Sequence, residues 1–382
     1  MPTTGRFSIC AVASVLLRVG LFLLTSRPDR PLSFSANFLW NQFKPLPVPA
    51  TDFSGKTIIV TGANSGLGLE ASRHFVRLGA AKVILGCRSA EKAEVAKADI
   101  EITTGRKDVV EVWPLEMGSF DSVREFCRRA ATLDRLDVVI ENAALAMGVF
   151  EELEGFESSV TVNVVSTFLM ALLLLPTLRR TASKHNVQTH LSIVSSDAHY
   201  FVSNCLFNTQ WVFQRPRQPN SCIKARFKER QSPSIFEAFR SEADMTEDRY
   251  NTTKLIVVFI VRELAHAMAR SRPGNEDTPV IVNVINPGYC RTQLFRHASP
   301  PLSWIIATGL LLFGRTGEMG SRTLVGGAEA DQGSHGSYLD SCKVRDPAPM
   351  VLNPEGAKTQ KRVFAELMEV LEGIEPGITK NI

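Results

Sequence analysis

The chain has 382 residues, 44% of them hydrophobic and 21% charged, which excludes a disordered chain and allows one large α/β domain with a substantial core. Its 43 basic and 39 acidic residues leave a net charge of +4, too balanced, and too free of basic runs, for nucleic-acid binding. The seven cysteines, at positions 10, 87, 127, 205, 222, 290 and 342, show no metal-ligand spacing and no close pairs, which suits free thiols in a reducing, intracellular compartment.

In chain order, residues 7–25 are largely apolar and about long enough for one membrane span. Arg18 within them opposes insertion by about 2.5–3.5 kcal/mol, offset in part by the Leu and Val residues. No small-residue cleavage site follows, which argues against a removed signal peptide. Three readings stay open: a membrane anchor with the following domain in the cytosol, an amphipathic surface helix, and a soluble extension. Pro45, Pro47 and Pro49 make residues 43–50 a spacer. The chain therefore divides into an extension, 1–50, and one domain, 51–382.

Lys56 to Val60 is a short β-branched run and predicts a buried strand. The stretch Thr61-Gly62-Ala63-Asn64-Ser65-Gly66-Leu67-Gly68 follows at once, and residues 69–78 predict a helix closed by Gly79. Residues 82–86 predict a second strand. Strand, glycine turn, helix, strand is the context in which backbone amides at a helix N-terminus face a pyrophosphate and glycines permit close approach. The nearby Gly55-Lys56-Thr57 mimics the end of a triphosphate loop, but it precedes the strand and position 50 is Ala. The second strand ends Gly86-Cys87-Arg88-Ser89 without an acid, so Arg88 would fork around a 2′-phosphate and favour NADP over NAD.

Further strands are predicted at 109–112, 136–140, 189–194 and 280–285. Residues 164–178 include four consecutive leucines before Pro176; too short to span a membrane comfortably, they predict a buried helix covering the sheet. Ser195 and Ser196 end the strand 189–194, and His199 lies three residues further on, where it would either touch substrate or make a structural hydrogen bond. Residues 203–224 have no helical or strand period and carry two prolines, two arginines and several amides. They are read either as a substrate lid or as an artefact of gene prediction.

Arg249 begins a helical pattern reaching about Met268, in which Tyr250 and Lys254 share a face. A free phenol is a poor acid–base at neutral pH. A neighbouring ammonium favours phenolate and is expected to lower the Tyr250 pKa, so that the pair exchanges a proton with a carbonyl or alcohol. Asn251-Thr252-Thr253 matches a glycosylation sequon by chance, since it adjoins Tyr250. Residues 300–313, with Trp304 and the leucines at 310–312, are apolar. They are expected to be a substrate cover, a core or interface helix, or a peripheral membrane contact; a cover would imply a bulky apolar substrate.

These motifs, together with Glu141-Asn142-Ala143-Ala144, Asn163, and Asn286-Pro287-Gly288 followed by Thr292, resemble the short-chain dehydrogenase/reductase family over roughly residues 52–200 and 224–380. Cys87-Arg88, Arg249-Tyr250-Asn251 and His335-Gly336-Ser337-Tyr338 are most similar to fungal secondary-metabolism reductases related to retinol dehydrogenases. The resemblance implies an α/β fold of Rossmann type, a single doubly wound, mostly parallel sheet with helices on both faces. It implies Tyr250 as general acid/base, Lys254 on the nicotinamide ribose, Ser196 on the substrate oxygen, and Asn163 holding a relay water. On the cofactor side it implies the turn Gly62, Ser65, Gly66, Leu67 and Gly68, with Leu67 near the nicotinamide. It further implies Asn142 at the ribose, Glu116 in place of an adenine-binding Asp, and Thr292, after Pro287 and Gly288, on the amide. No metal is called for, and the family commonly forms dimers or tetramers.

Three departures stand out. Ala144 replaces a glycine, which would be strained at positive φ. Glu116 is longer than Asp. Ser196 and Tyr250 lie farther apart than usual in the family. The implied activity is NADP-dependent interconversion of a ketone or aldehyde and an alcohol, on a polyketide- or terpenoid-like intermediate. Its rivals are a non-catalytic NADP sensor, an inactive family member, and a membrane-bound steroid- or retinoid-type dehydrogenase.

Overall fold

The computed structural model describes residues 41–202, 227–246, 248–271, 279–292, 294 and 302–382. Residues 7–25 and 203–224, the expected anchor and insert, lie outside them. Residues 46–382 form one compact unit.

β-Branched runs bounded by turns become strands, and the strands become one sheet. It holds β1 (Thr57–Thr61), β2 (Lys82–Cys87), β3 (Val110–Pro114), β4 (Val138–Glu141), β7 (Thr189–Val194), β8 (Val280–Asn286), β9 (Tyr338–Asp340) and β10 (Lys343–Arg345). Their order is β10-β9-β8-β7-β4-β1-β2-β3. All neighbours are parallel except β9 and β10. A separate two-stranded hairpin pairs β5 (Glu152–Leu153) with β6 (Phe156–Glu157). The order reverses at β1, where Val60 pairs with Leu85 of β2 on one side and Ile140 of β4 on the other. Such a reversal opens a crevice at the carboxyl ends of the strands.

Side-chain alternation splits the apolar residues between two layers. Ile59, Ile84 and Val139 join one core with residues of the helices Thr167–His185 and Arg249–Arg270. Ile58, Val60, Val83, Leu85 and Ile140 join the other with Phe53 and Phe75. Helices therefore cover both faces. The predicted buried helix at 164–178 is part of a longer helical stretch, Ser158–His185, which is apolar enough to cross a membrane but whose most apolar 18-residue window is 94% buried as a core element. Within it, Thr161–Ser166 widens to a π-helix. The strands β9 and β10 are too short for periodicity to reveal.

Candidate active site

The glycine turn fills the crevice beside β1. Gly62 and Gly66 have φ of 63° and 58°, a region that L side chains rarely adopt. A methyl group built on Gly68 would lie 2.6 Å from the Gly62 carbonyl oxygen and 2.7 Å from Asn142 Nδ2. Glycine is thus required at this close approach. The helix Gly66–Arg77 starts here, and its N-cap, Ser65, makes no side-chain capping bond. The chain ends this helix as expected, with Gly79 at φ 94°.

Thr61 organises the turn, a role the sequence reading missed. Its Oγ1 accepts hydrogen bonds from the backbone amides of Asn142 and Ala143, at 3.0 and 2.9 Å. Asn142 Nδ2 donates to the carbonyls of Thr61 and Gly62, at 2.9 and 3.3 Å. The structure therefore commits the Asn142 amide group to holding the turn. Ala144 has no positive φ, so the anticipated strain does not arise. Beside them, Glu141 is buried and its carboxylate oxygens find no hydrogen-bond partner among the described residues; burial drives its carboxyl well above the usual range. Cys87 is also buried, its thiol faces the amides of Ala63 and Asn64, and burial pushes its pKa up to about 11.

At the rim, Arg88 Nε lies 3.4 Å from Glu116 Oε2. Glu116 Oε1 in turn accepts from the Gly118 amide at 2.9 Å. The two residues assigned to the adenosine end are thus brought together as a surface ion pair. Across the turn, the Thr292 side chain packs against Gly66, 3.6 Å from where a Cβ would be. Gly288 has φ 77° and its amide donates to Asn286 Oδ1 at 3.0 Å. The Pro287 carbonyl accepts from Arg315 at 3.1 Å. Leu67 packs near Gly320 of the helix Gly317–Ala328.

The proton-transfer group assembles at the end of β7. Ser195 Oγ donates to the Lys254 carbonyl at 2.9 Å, and Lys254 Nζ donates to the Val194 carbonyl at 2.9 Å. These two bonds clasp the strand end to the helix Arg249–Arg270. Ser196, the other serine, hydrogen-bonds the Tyr250 phenol. Lys254 Nζ sits 5.6 Å from the Tyr250 ring centroid. Asn163, in the π-helix, accepts from the Leu145 amide at 2.8 Å and donates to the Leu145 carbonyl at 2.8 Å and to Thr253 Oγ1 at 3.1 Å. Thr253 Oγ1 donates on to the Tyr250 carbonyl at 2.7 Å. Asn163 is therefore joined to the helix through Thr253. Single-turn π-helices concentrate at functional sites.

The expected electrostatics require correction. The phenol pKa is governed by burial and not by the adjacent lysine. Burial pushes Tyr250 above its usual value, with the Ser196 hydrogen bond offsetting only part. Burial also pulls Lys254 itself down to about 7, so the amine carries only part of a charge at neutral pH, which weakens its hold on the phenol.

Of the two readings of His199, the structure supports the hydrogen-bonding one. The ring is fully buried; Nδ1 donates to the Ser196 carbonyl at 2.7 Å while Nε2 accepts from the Ala348 amide at 3.0 Å. Burial lowers its pKa to about 4, so it is neutral. Next to it, Asp197 accepts from Asn286 Nδ2 at 2.8 Å and from the Tyr338 hydroxyl at 3.1 Å. This explains the tail motif: Gly336, at φ 70°, turns the chain so that Tyr338 pairs with β8 and reaches Asp197.

The helix Leu302–Phe313 exposes Trp304 at 62% and Leu311 at 71%, which rules out a core position for these side chains. Its Gly309 faces the Tyr289 hydroxyl, and Arg291 donates to the carbonyls of Leu310 and Leu311 at 3.0 and 2.9 Å. The helix is thereby tied to the loop after Gly288.

Comparison with known proteins agrees with this geometry. The family model described as short chain dehydrogenase matches residues 56–198. The short chain dehydrogenase/reductase dmxR8 of Cryptosporiopsis sp. (strain 8999) is 41% identical over 347 residues, 90% of this chain and 99% of its own. The short chain dehydrogenase FGM9 of Gibberella zeae is 35% identical over 350 residues, 91% and 94% of the two chains. The structure of a Pseudomonas aeruginosa RhlG/NADP active-site complex shares the fold, with a TM-score of 0.51 and 20% identity over 75% of this chain and 95% of that one. With a relative this similar along nearly its whole length, and with the glycine turn after β1 and the serine–tyrosine–lysine group after β7 on the same edge of one sheet, the chain belongs to the short-chain dehydrogenase/reductase family of oxidoreductases.

Proposed function

We propose that the protein is an NADP-dependent oxidoreductase that interconverts a ketone or aldehyde and an alcohol on a bulky, apolar, secondary-metabolite-type intermediate. The observation that carries this reading is the half-buried Tyr250 phenol, hydrogen-bonded to Ser196 and four residues before Lys254, at the end of β7, with β4 alone between it and the strand of the glycine turn. The turn fits a dinucleotide: Gly62 and Gly66 take the φ above zero that glycine allows, Gly68 lets the helix start pack tightly against the turn, and the start of the helix Gly66–Arg77 is uncapped by Ser65. Arg88, at the end of β2, would hold a 2′-phosphate, and Thr292, against Gly66, would face the nicotinamide side.

When bound, NADPH supplies the hydride and NADP+ accepts it in reverse. The chain's own residues handle the proton. Burial keeps the Tyr250 phenol protonated, which suits proton donation to a carbonyl oxygen, hence reduction. Ser196 orients that oxygen. Lys254, clasped to Val194, stands beside the phenol and would hold the ribose. The exposed apolar side chains of the helix Leu302–Phe313, attached at Tyr289, suit a large apolar substrate.

Tyr250→Phe tests the reading. With NADPH and a panel of ketones, kcat is expected to fall about 100- to 10,000-fold, the range of general acid catalysis, while NADPH affinity stays close to wild type. Unchanged turnover would end the proposal. NADPH binding without turnover of any carbonyl by the wild type would favour the sensor reading.

A further inference from the structure

The catalytic helix Arg249–Arg270 has an unusual start. Its N-cap, Asp248, makes no side-chain capping bond to the backbone, and Tyr250 lies in the first turn, where helices are least held. The first helical residue is a cation, which the helix dipole opposes at this end. Yet the Arg249 side chain is completely buried. Its NH1 donates to Glu229 Oε1 at 2.8 Å and its NH2 to the Asp244 carbonyl at 2.8 Å. Its Nε lies 3.8 Å from Glu157 Oε2, and its guanidinium sits 4.6 Å over the Phe239 ring.

Each partner belongs to a different part of the site. Glu157 is fully buried and accepts from the amides of Ser159 and Val160, at 2.9 and 3.2 Å. It thereby starts the helical stretch whose π-helix carries Asn163. Glu229 and Asp244 belong to the segment 227–246, which leads into the catalytic helix. We propose that Arg249 is a positioning residue, fixing the first turn of the catalytic helix, and with it Tyr250, against the Asn163 helix and the segment 227–246. The inference rests on Tyr250 being the proton donor.

Stability alone does not account for the cluster. Glu229 Oε2 and Arg249 Nε find no hydrogen-bond partner among the described residues. A buried ion group so incompletely paired is commonly no more stable than apolar residues of the same volume. What it provides is register: a planar fork accepts one geometry, whereas apolar contacts tolerate many. Lysine at 249 would keep the charge and lose the fork.

The test uses the full chain with Arg249→Lys and, should that variant not fold, Glu229→Gln, which keeps the shape and removes the charge. In Arg249→Lys, kcat is expected to fall about 100-fold, as for a displacement of about 1 Å, with NADPH affinity and KM little changed. The kcat–pH profile should shift as the phenol leaves Ser196. Amide exchange at residues 251–254 should quicken about tenfold or more while the rest of the helix stays protected. Glu229→Gln should show the same pattern more weakly. Wild-type kcat and wild-type exchange in a folded variant would overturn the inference. So would equal losses of kcat, NADPH binding and melting temperature, which mark general destabilisation. Quickened exchange in Arg249→Lys, with a wild type that turns over no carbonyl, would sink the oxidoreductase reading while showing that Arg249 still fixes the first helical turn.

Discussion

The glycine turn and the serine–tyrosine–lysine group occupy the ends of β1 and β7, either side of β4 in one sheet, yet they are held by different physics. The turn is built from neutral groups: glycine conformations, the Thr61 hydroxyl, and an Asn142 amide on two carbonyls. Its tolerance is steric. The catalytic group is built from titratable side chains drawn into the protein, Lys254 fully and Tyr250 in part, with Tyr250 raised and Lys254 lowered by burial. Its tolerance is electrostatic. One region should therefore fail by shape and the other by protonation, and the two can be broken separately.

The largest effect is expected from shape. Gly68→Ala sets a methyl 2.6 Å from a backbone oxygen and 3.0 Å from the Ala63 Cα, so the turn must move. The expected cost is about 1–3 kcal/mol in melting experiments, with NADPH binding lost in fluorescence titration. Gly105→Ala is the control: its φ is 70° but nothing lies within 4 Å of the added methyl, so it should cost about 1 kcal/mol or less and leave binding intact. Equal affinity in both variants would mean that the turn is not a phosphate cradle.

That division also explains what was legible in the sequence. The turn lies within residues 61–68, and its strand–turn–helix context is local, so it could be read without a structure. The spacing of Tyr250 and Lys254 was legible for the same reason. Their protonation was not, because it depends on burial by residues far along the chain: Val194 is 60 residues from Lys254. The burial of Arg249 escaped notice likewise, since its carboxylate partners stand at 157 and 229. Periodicity located the long central strands, but β9 and β10 have three residues each, too few to show a period. Fixing Tyr338 on Asp197 needed the turn at Gly336, whose meaning appears only once β8 and β9 are paired.

Protonation gives the next prediction. Burial brings the Lys254 pKa down to about 7, so at pH 8 the amine is mostly neutral. An anionic dinucleotide bound beside it favours the ammonium and raises that pKa. Binding must then take up a proton between pH 7 and the pKa of the complex, and affinity must weaken as pH rises across that window; below pH 7 the amine is already charged and the dependence fades. Calorimetric titration with NADPH at pH 8, in phosphate and in Tris, should give different apparent enthalpies because the buffers release protons at different cost. Lys254→Met should abolish the difference. The same enthalpy in both buffers for the wild type would show that the lysine keeps its charge state on binding, and the electrostatic half of the comparison would fail.

The smallest effect belongs to the rim, where the two kinds of physics meet. Arg88 is 74% exposed, and its partner Glu116 is 39% exposed. An exposed pair of this kind contributes about 0–1 kcal/mol, so Glu116 competes only weakly for the guanidinium. A 2′-phosphate offers more charge and a forked geometry, but solvent screens it as well. Arg88→Leu should therefore weaken NADPH binding by about three- to tenfold, a screened surface interaction, and leave NADH binding unchanged. Glu116→Gln should act in the opposite sense and more weakly, because it frees the guanidinium without adding a contact. Raising the salt concentration should shrink both effects, since the charges lie in water. Equal losses for NADH and NADPH in Arg88→Leu would show that the residue supports the fold of the strand end and does not read the phosphate. The rim would then belong with the steric half of the site, governed by shape like the turn itself.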